Sequence, residues 1–205
     1  MNAIPINPND HDQFFLRQKW TLGINRYFFS LTEDSAPFVF VEQKRFKFKE
    51  DIRFYSDESK TIELMRIKAR QRFDPRATYD ITDSNGVDIG KIQKQFGKSL
   101  LRSSYLLFDP AGAQVAVLQE RSLPVAIFRR AVGFIPYVDD FANWLPIPYD
   151  FEFLRNDGEL IGLNKRRRWK FTDQYDIDFS TDPGRTIDRR LVLAATVGMD
   201  ALQAR

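Results

Sequence analysis

The last twenty residues of the chain, TIDRRLVLAATVGMDALQAR (Thr186–Arg205), decide its fold. Residues 191–199 form an uninterrupted run without a charged side chain. Thr186 suits a helix cap and Asp188 suits the positive end of the helix dipole, so the segment predicts a helix over about 187–202. A helix of this length is too short to cross a bilayer, which needs about 20 apolar residues.

This helix has no polar side, because apolar and small residues occupy its whole middle. A helix that is apolar all round is buried all round. Ala194, Ala195 and Gly198 are small enough to let other elements approach closely. The glycine costs a helix about 1 kcal/mol relative to alanine, which indicates a tight position. The sequence therefore predicts a helix that is enclosed by the rest of the protein.

The middle of the chain predicts antiparallel hairpins. Alternating apolar and polar residues flank turn signals at Asn85-Gly86, Asp109–Gly112 and Asp157-Gly158. A loose similarity between residues 79–90 and 149–162 indicates a duplicated meander. The whole pattern amounts to about eleven or twelve short strands, which must close into a barrel or stack as a sandwich to hide their edges. The inside of a closed barrel is the simplest place for the buried helix.

We predict one domain over residues 14–205 and a flexible tail over residues 1–13. Pro124 favours a helix entry, and apolar residues at helical spacing add a helical segment near 123–134. The single histidine, His11, lies in the tail, and cysteine is absent, which excludes thiol chemistry and imidazole clusters. We therefore predict neither a catalytic residue nor a cofactor. No secretory signal is visible and the lack of cysteine fits a reducing compartment, so we expect a cytoplasmic location.

Four segments carry a resemblance to known proteins: RQKWTLGINRY (17–27), EQKRFKFKEDIRFYSDES (42–59), YDITDSNGVDIGKIQK (79–94) and YDIDFSTDPGRTIDRRLVLAATVGMDALQ (175–203). From about Phe14 onward the chain resembles the bacterial branch of the Tubby C-terminal-like superfamily, which is related to LURP-one-related proteins and phospholipid scramblases. The order of the elements carries this resemblance more than any single motif. It implies a mainly β protein, a closed antiparallel β-barrel of about twelve strands around a central hydrophobic C-terminal α-helix.

The resemblance also implies a binding module and not an enzyme. Tubby-like domains bind phosphoinositides through basic residues on the barrel surface, and scramblases are associated with membranes and calcium. We therefore expect a non-enzymatic module that binds anionic phospholipid headgroups or the membrane surface, as a peripheral protein of the inner membrane face. The alternative is a protein- or nucleic-acid-interaction scaffold. The net charge of +3 is much smaller than that of a dedicated nucleic-acid-binding protein, which argues against the nucleic-acid form of this alternative.

Two basic segments are candidate anion sites, KRRRWK (165–170) and EQKRFKFKED (42–51). Arginine forks grip phosphate, and clusters of basic residues near a membrane bind anionic lipids. An edge-protecting solvated strand is the alternative for the first segment, and a half-buried strand with inward aromatics is the alternative for the second. The candidate lipid- or anion-binding residues are Lys165, Arg166, Arg167, Arg168, Lys170, Arg129, Arg130, Lys44 and Lys47.

Residues 123–149 combine many apolar and aromatic side chains with two arginines, as interfacial helices do. A lid on the barrel end and a partner-binding groove are the alternatives for this segment. The candidate membrane contacts are Phe128, Phe134 and Trp144. The acidic run before the last helix adds calcium candidates at Asp173, Asp176 and Asp178, although the spacing of an EF-hand is absent and ordinary turn carboxylates would look the same.

Overall fold

The chain folds into one closed antiparallel barrel around its last helix. The computed structural model describes residues 6–21, 23–44, 51–70, 77–95, 104–121, 150–167 and 173–203. Within these ranges a short 3-10 turn is followed by twelve strands and one α-helix. The predicted barrel of about twelve strands is therefore confirmed. The predicted helical segment near 123–134 lies outside the described residues.

The strands are short and follow one another around the barrel in chain order. Each pairs with its neighbours in sequence, and the first strand pairs with the last to close the ring, with Gln13 opposite Asp178 and Gln18 opposite Asp173. The strands are β1 (Gln13–Thr21), β2 (Ile24–Ser30), β3 (Val39–Lys44), β4 (Asp51–Tyr55), β5 (Glu63–Ala69), β6 (Thr78–Asp83), β7 (Asp88–Lys94), β8 (Ser104–Phe108), β9 (Gln114–Glu120), β10 (Phe151–Leu154), β11 (Leu160–Arg166) and β12 (Asp173–Asp178).

Alternation along each strand separates the inside of the barrel from its outer wall. In β4, for example, Ile52 and Phe54 are buried whereas Asp51 and Arg53 are exposed. Successive side chains of a strand point to opposite faces, so one apolar set per strand is enough to build the interior. The inward residues of all strands join the helix in one hydrophobic core.

The C-terminal helix, α1 (Arg189–Gln203), fills that interior. Residues 191–199 are all buried, so no side of this stretch faces solvent. The helix begins two residues later than the sequence predicts and ends one residue later. A Cβ atom built on Gly198 would lie 3.4 Å from the Cδ1 atom of Ile92, an ordinary contact. The glycine therefore does not mark a position too tight for a methyl group.

The two ends of the barrel differ in their connections. We call the end where α1 begins the first end, and the end where α1 finishes the second end. At the first end several strands are joined by short turns, in which an aspartate side chain accepts hydrogen bonds from the backbone of the turn. Asp83 accepts hydrogen bonds from the backbone of Asn85 and Val87, and Asp109 accepts one from Ala113. Gly86, with a φ of +83°, supplies the left-handed conformation that its turn needs.

The segment before β1 packs against the start of the helix. Residues 8–10 form the 3-10 turn, and the side-chain oxygen of Asn9 accepts a hydrogen bond from the backbone of Arg189 at 2.7 Å. Arg185 donates to the backbone oxygen of Asp10 at 2.9 Å. These contacts lie within the region that the sequence assigns to the tail. The division of the chain at residue 14 stays a prediction.

Candidate functional site

The described side chains of the basic run that begins at Lys165 alternate between the outer and the inner side of the barrel wall. Lys165 is exposed, and Arg166 lies on the same side of β11 as the buried Asn164, toward the inside. Arg166 forms an ion pair with Asp173 of β12. Arg167 follows the end of β11, and its side chain lies over the ring of Phe15 with 4.7 Å from the guanidinium carbon to the ring centre.

Arg167 is held by two carboxylates. Its Nε and Nη2 atoms donate to Asp176 at 2.8 and 2.7 Å, and its Nη1 atom donates to Glu33. The hydrogen bonds that Arg167 donates to Asp176, joined by the one to Glu33, raise its pKa above the usual value although partial burial opposes this. A guanidinium with this many internal acceptors has little capacity left for an external phosphate. Among the described members of the basic run, Lys165 is therefore the freest to bind an anion.

The calcium candidates do not converge on one point. Asp173 is the partner of Arg166, and Asp176 is the partner of Arg167. Asp178 accepts hydrogen bonds from the backbone and the hydroxyl of Ser180 at 2.9 and 2.5 Å. Within the part of the chain that the structure describes, no three histidine, cysteine or acidic side chains are placed to share a metal ion.

Several candidates fall outside the described residues: Arg168, Lys170, Arg129, Arg130, Lys47, Phe128, Phe134 and Trp144. Lys44 is the last residue of β3, and the structure describes its backbone only. The described strand ends that flank these candidates all lie at the second end, because alternate connections of an antiparallel barrel share one end. The end of β3 and the start of β4 flank Lys47, for instance, and the end of β11 and the start of β12 flank Arg168.

Charge is distributed unequally between the two ends. The turns at the first end, residues 31–38, 56–62, 84–87, 109–113, 155–159 and 179–188, contain nine acidic and three basic residues. The segments between strand ends at the second end, residues 22–23, 45–50, 70–77, 95–103, 121–150 and 167–172, contain fourteen basic and five acidic residues. In the sequence, the connections that begin and end at the second end are therefore rich in basic residues, and those of the first end are rich in acidic residues.

The outer wall of β1 adds a pair of cations that sequence reasoning missed. Arg17 and Lys19 alternate along β1 and so share one face of the strand. Both lie over the ring of Phe28 on β2, with 5.5 Å from the Arg17 guanidinium carbon and 5.2 Å from the Lys19 Nζ atom to the ring centre. The signal available in the sequence is the Arg-x-Lys spacing within a strand, which places two charges side by side.

One buried aspartate with a shifted pKa, Asp182, lies in the core beside Arg189. Burial alone would raise the pKa of Asp182, but hydrogen bonds from Arg189 and Thr186 outweigh it, and the pKa is lowered. Asp182 is 1% exposed and Arg189 is fully buried, so a substrate has no access to either. A group with a perturbed pKa marks an active site when it lines an open cleft, and Asp182 lies inside the core.

A closed twelve-strand barrel around a buried C-terminal helix defines the Tubby-like class of proteins. The sequence model of the LURP-one-related family matches residues 38–200, and the chain belongs to this family. LURP-one-related barrels are generally non-enzymatic. No curated protein matches the chain. In the described ranges, no helix combines the length and the apolar character that crossing a membrane requires.

Proposed function

We propose that this protein is a non-enzymatic module that binds anionic phospholipid headgroups or the membrane surface through the second end of its barrel. The observation that carries the proposal is the division of charge between the two ends. Fourteen basic residues against five acidic ones belong to the segments between the strand ends of the second end. The opposite end, with its excess of carboxylates, would be repelled by the same surface.

The candidates from the sequence agree with this orientation. Lys47, Arg129, Arg130, Arg168 and Lys170 belong to three different segments, and the strands that flank all three meet at the second end. The aromatic residues of 123–149 are flanked by the same end. A surface that combines basic and aromatic side chains is suited to the interface between headgroups and acyl chains. The topology therefore supports one shared membrane-facing surface.

The magnitude of the attraction fits reversible binding. A basic residue near an anionic leaflet contributes about 1 kcal/mol, and six to eight of them correspond to a dissociation constant of roughly 1 to 40 μM. Such attraction falls off over a Debye length of about 8 Å at physiological salt. Binding should therefore weaken steeply as salt is added, and the protein would be a cytoplasmic one that visits the inner membrane face.

Liposome co-sedimentation tests the proposal. We expect the protein to sediment with vesicles of phosphatidylcholine and phosphatidylserine at low salt, and to stay in solution with pure phosphatidylcholine. Lys47→Glu and Lys170→Glu should each reduce the bound fraction several-fold. Lys91→Glu makes the same change of net charge on β7, between the two ends, and should leave binding close to that of the unchanged protein.

Absence of binding to phosphatidylserine vesicles at low salt would contradict the proposal. Equal losses in all three variants would also contradict it, since they would show an effect of net charge alone. A scaffold for protein or nucleic acid is the alternative. A salt-sensitive shift of RNA or DNA in an electrophoretic assay, without vesicle binding, would favour the nucleic-acid form of that alternative.

A further inference from the structure

Arg17 differs from the other arginines of the barrel wall. Arg26 pairs with Glu42 at 3.1 Å, and Arg66 pairs with Glu63 at 2.7 Å. Arg17 has no carboxylate and no hydrogen-bond acceptor among the residues that the structure describes, and its Nε atom is buried. Its contact is with the face of the Phe28 ring. A guanidinium that carries five donors is thus left without an acceptor.

Lys19 increases the positive charge at the same point. It is exposed and lies over the same ring, and within the described ranges it makes no ion pair. Two like charges beside one aromatic ring repel each other, and a cation–π attraction of about 0.5–1 kcal/mol for each cation holds them there. The pair is therefore an unneutralised patch of two positive charges on the wall.

The neighbouring carboxylates are committed to other partners. Glu42 accepts from Lys60 at 2.6 Å and from Arg26, and the hydrogen bond from Lys60 is the main cause that lowers its pKa. Asp176 is held by Arg167. No rearrangement of these carboxylates can neutralise Arg17 without breaking an existing ion pair.

A buried amide beside Arg17 also lacks a partner. Gln174 of β12 stands directly opposite Arg17 in the pairing of β1 with β12. Its side chain is 9% exposed, and its Oε1 atom has no hydrogen-bond partner among the described residues. On its other side the backbone oxygen of Gln174 accepts from the backbone nitrogen of Arg167 at 2.8 Å. A buried acceptor without a donor costs about 1–3 kcal/mol, and rotating the amide by a half turn would present its NH2 group in the place of this oxygen.

We propose that Arg17, Lys19 and Gln174 form a binding site for a phosphate group on the outer wall of the barrel. The guanidinium of Arg17 would donate two parallel hydrogen bonds to phosphate oxygens, and Lys19 would supply the second positive charge. The amide of Gln174 would turn its NH2 group toward a third oxygen. Phe28 holds both cations in place from below. A phosphate monoester, with a charge between about −1.5 and −2, matches the two cations of the site.

This site would give the proposed headgroup-binding function a specific contact with phosphate. It lies on the wall formed by β1 and β12 and does not include the connecting segments of the second end. Phosphate groups occur both in phospholipid headgroups and in free phosphate or small phosphate esters. The proposed contacts are with the phosphate group alone and not with the molecule that carries it. The experiment therefore uses both sources of phosphate. Inorganic phosphate reports on the site alone, whereas vesicles report on the site and the barrel end together.

The first experiment is a titration with inorganic phosphate at constant ionic strength, followed by NMR shifts of the protein and by its melting temperature. We expect saturable shifts centred on β1 and β12 and a rise of the melting temperature that chloride does not reproduce. Arg17→Gln and Lys19→Gln should each weaken phosphate binding about tenfold or more. Lys68→Gln, which removes another exposed lysine from the wall, is the matched control and should retain the affinity.

A second variant guards against loss of folding. Gln174→Glu places a carboxylate opposite Arg17, where it occupies the site as an internal anion. We expect this variant to be at least as stable as the unchanged protein and to bind phosphate at least tenfold more weakly. Unchanged phosphate affinity in Gln174→Glu, or in Arg17→Gln, would overturn the proposal.

Experiments with lipids distinguish the phosphate site at Arg17 from the proposed membrane binding by the second end. A soluble short-chain phosphatidic acid should compete with inorganic phosphate for the site, and this competition should disappear in Arg17→Gln. Phosphate binding at Arg17 without vesicle binding would refute the membrane function and support the site. Vesicle binding that is unaffected in Arg17→Gln, together with no phosphate binding, would support the membrane function and refute the site.

Discussion

The guanidinium carbon of Arg189 lies 4.8 Å from the centre of the Phe179 ring. Both side chains are fully buried at the first end of the barrel. The same arginine donates to Asp182 and Asp12, each at 2.9 Å. The ring of Phe179 in turn lies against Gly162, so one glycine, one ring and one ion network share the space around the start of the helix.

Replacing Asp182 by asparagine should destabilise the protein by about 3–5 kcal/mol, because it leaves a fully buried guanidinium with too little negative charge. Urea denaturation followed by circular dichroism measures the change. The control is Asp188→Asn, which breaks a part-exposed pair with Arg190 and should cost no more than about 1 kcal/mol. Equal losses in the two variants would contradict the special role of the buried pair.

Stability should fall as the solution becomes acidic. The hydrogen bond from Arg189 is the main cause that lowers the pKa of Asp12, and the pKa of Asp182 is also lowered in the folded protein. Their stabilisation is complete above the ordinary aspartate pKa of about 3.9 and is lost as the pH falls through the lowered values. Urea midpoints measured from pH 7 to pH 2 would show this decline. Asp12→Asn should decline less steeply below pH 4, and an unchanged slope would count against the assignment.

Two glycines should respond in opposite ways to a methyl group. A Cβ atom on Gly162 would lie 2.5 Å from the Phe179 ring, so Gly162→Ala should destabilise the protein by about 1–3 kcal/mol through overpacking. Gly198→Ala makes an ordinary contact and improves helix propensity, so it should be neutral or stabilising by up to about 1 kcal/mol. Melting temperatures of the two variants provide the comparison, and a greater loss in Gly198→Ala would refute it.

Removal of the helix should abolish folding. A chain that ends at Arg185 loses Leu191, Val192, Leu193 and the other buried residues of α1. Each large apolar side chain contributes about 1.5–3 kcal/mol on burial, and a whole domain is stable by only about 5–15 kcal/mol. Absence of dispersed NMR signals would confirm the loss, and adding the peptide 186–205 in trans should restore part of them. A cooperative melting transition in the truncated chain would show that the barrel stands without the helix.

The sequence predicts the local features of this fold well. Asn85-Gly86, Asp109–Gly112 and Asp157-Gly158 are short-range turn signals. The structure has a hairpin at each of them. The helix can be predicted because residues 191–199 have no polar side, whatever surrounds them. Closure of the barrel follows, since that helix needs an enclosure and the strands need to hide their edges.

Pairing between distant strands is what the sequence does not reveal. The register of β11 against β12 sets Arg166 beside Asp173 and Arg167 beside Asp176. In the sequence, the arginines are candidates for binding an anion and the aspartates are candidates for binding calcium. In the structure they form ion pairs with each other. The position of Gln174 opposite Arg17 depends in the same way on a register between the first and the last strand.

The seam between β1 and β12 has a consequence for biosynthesis. A ribosome releases β1 first, whereas β12 and the helix that fills the interior emerge last. One edge of β1 and the whole apolar inner face of the wall therefore lack their partners during translation, and contacts of such long sequence separation form slowly. The nascent chain is therefore exposed to aggregation until β12 and α1 have emerged.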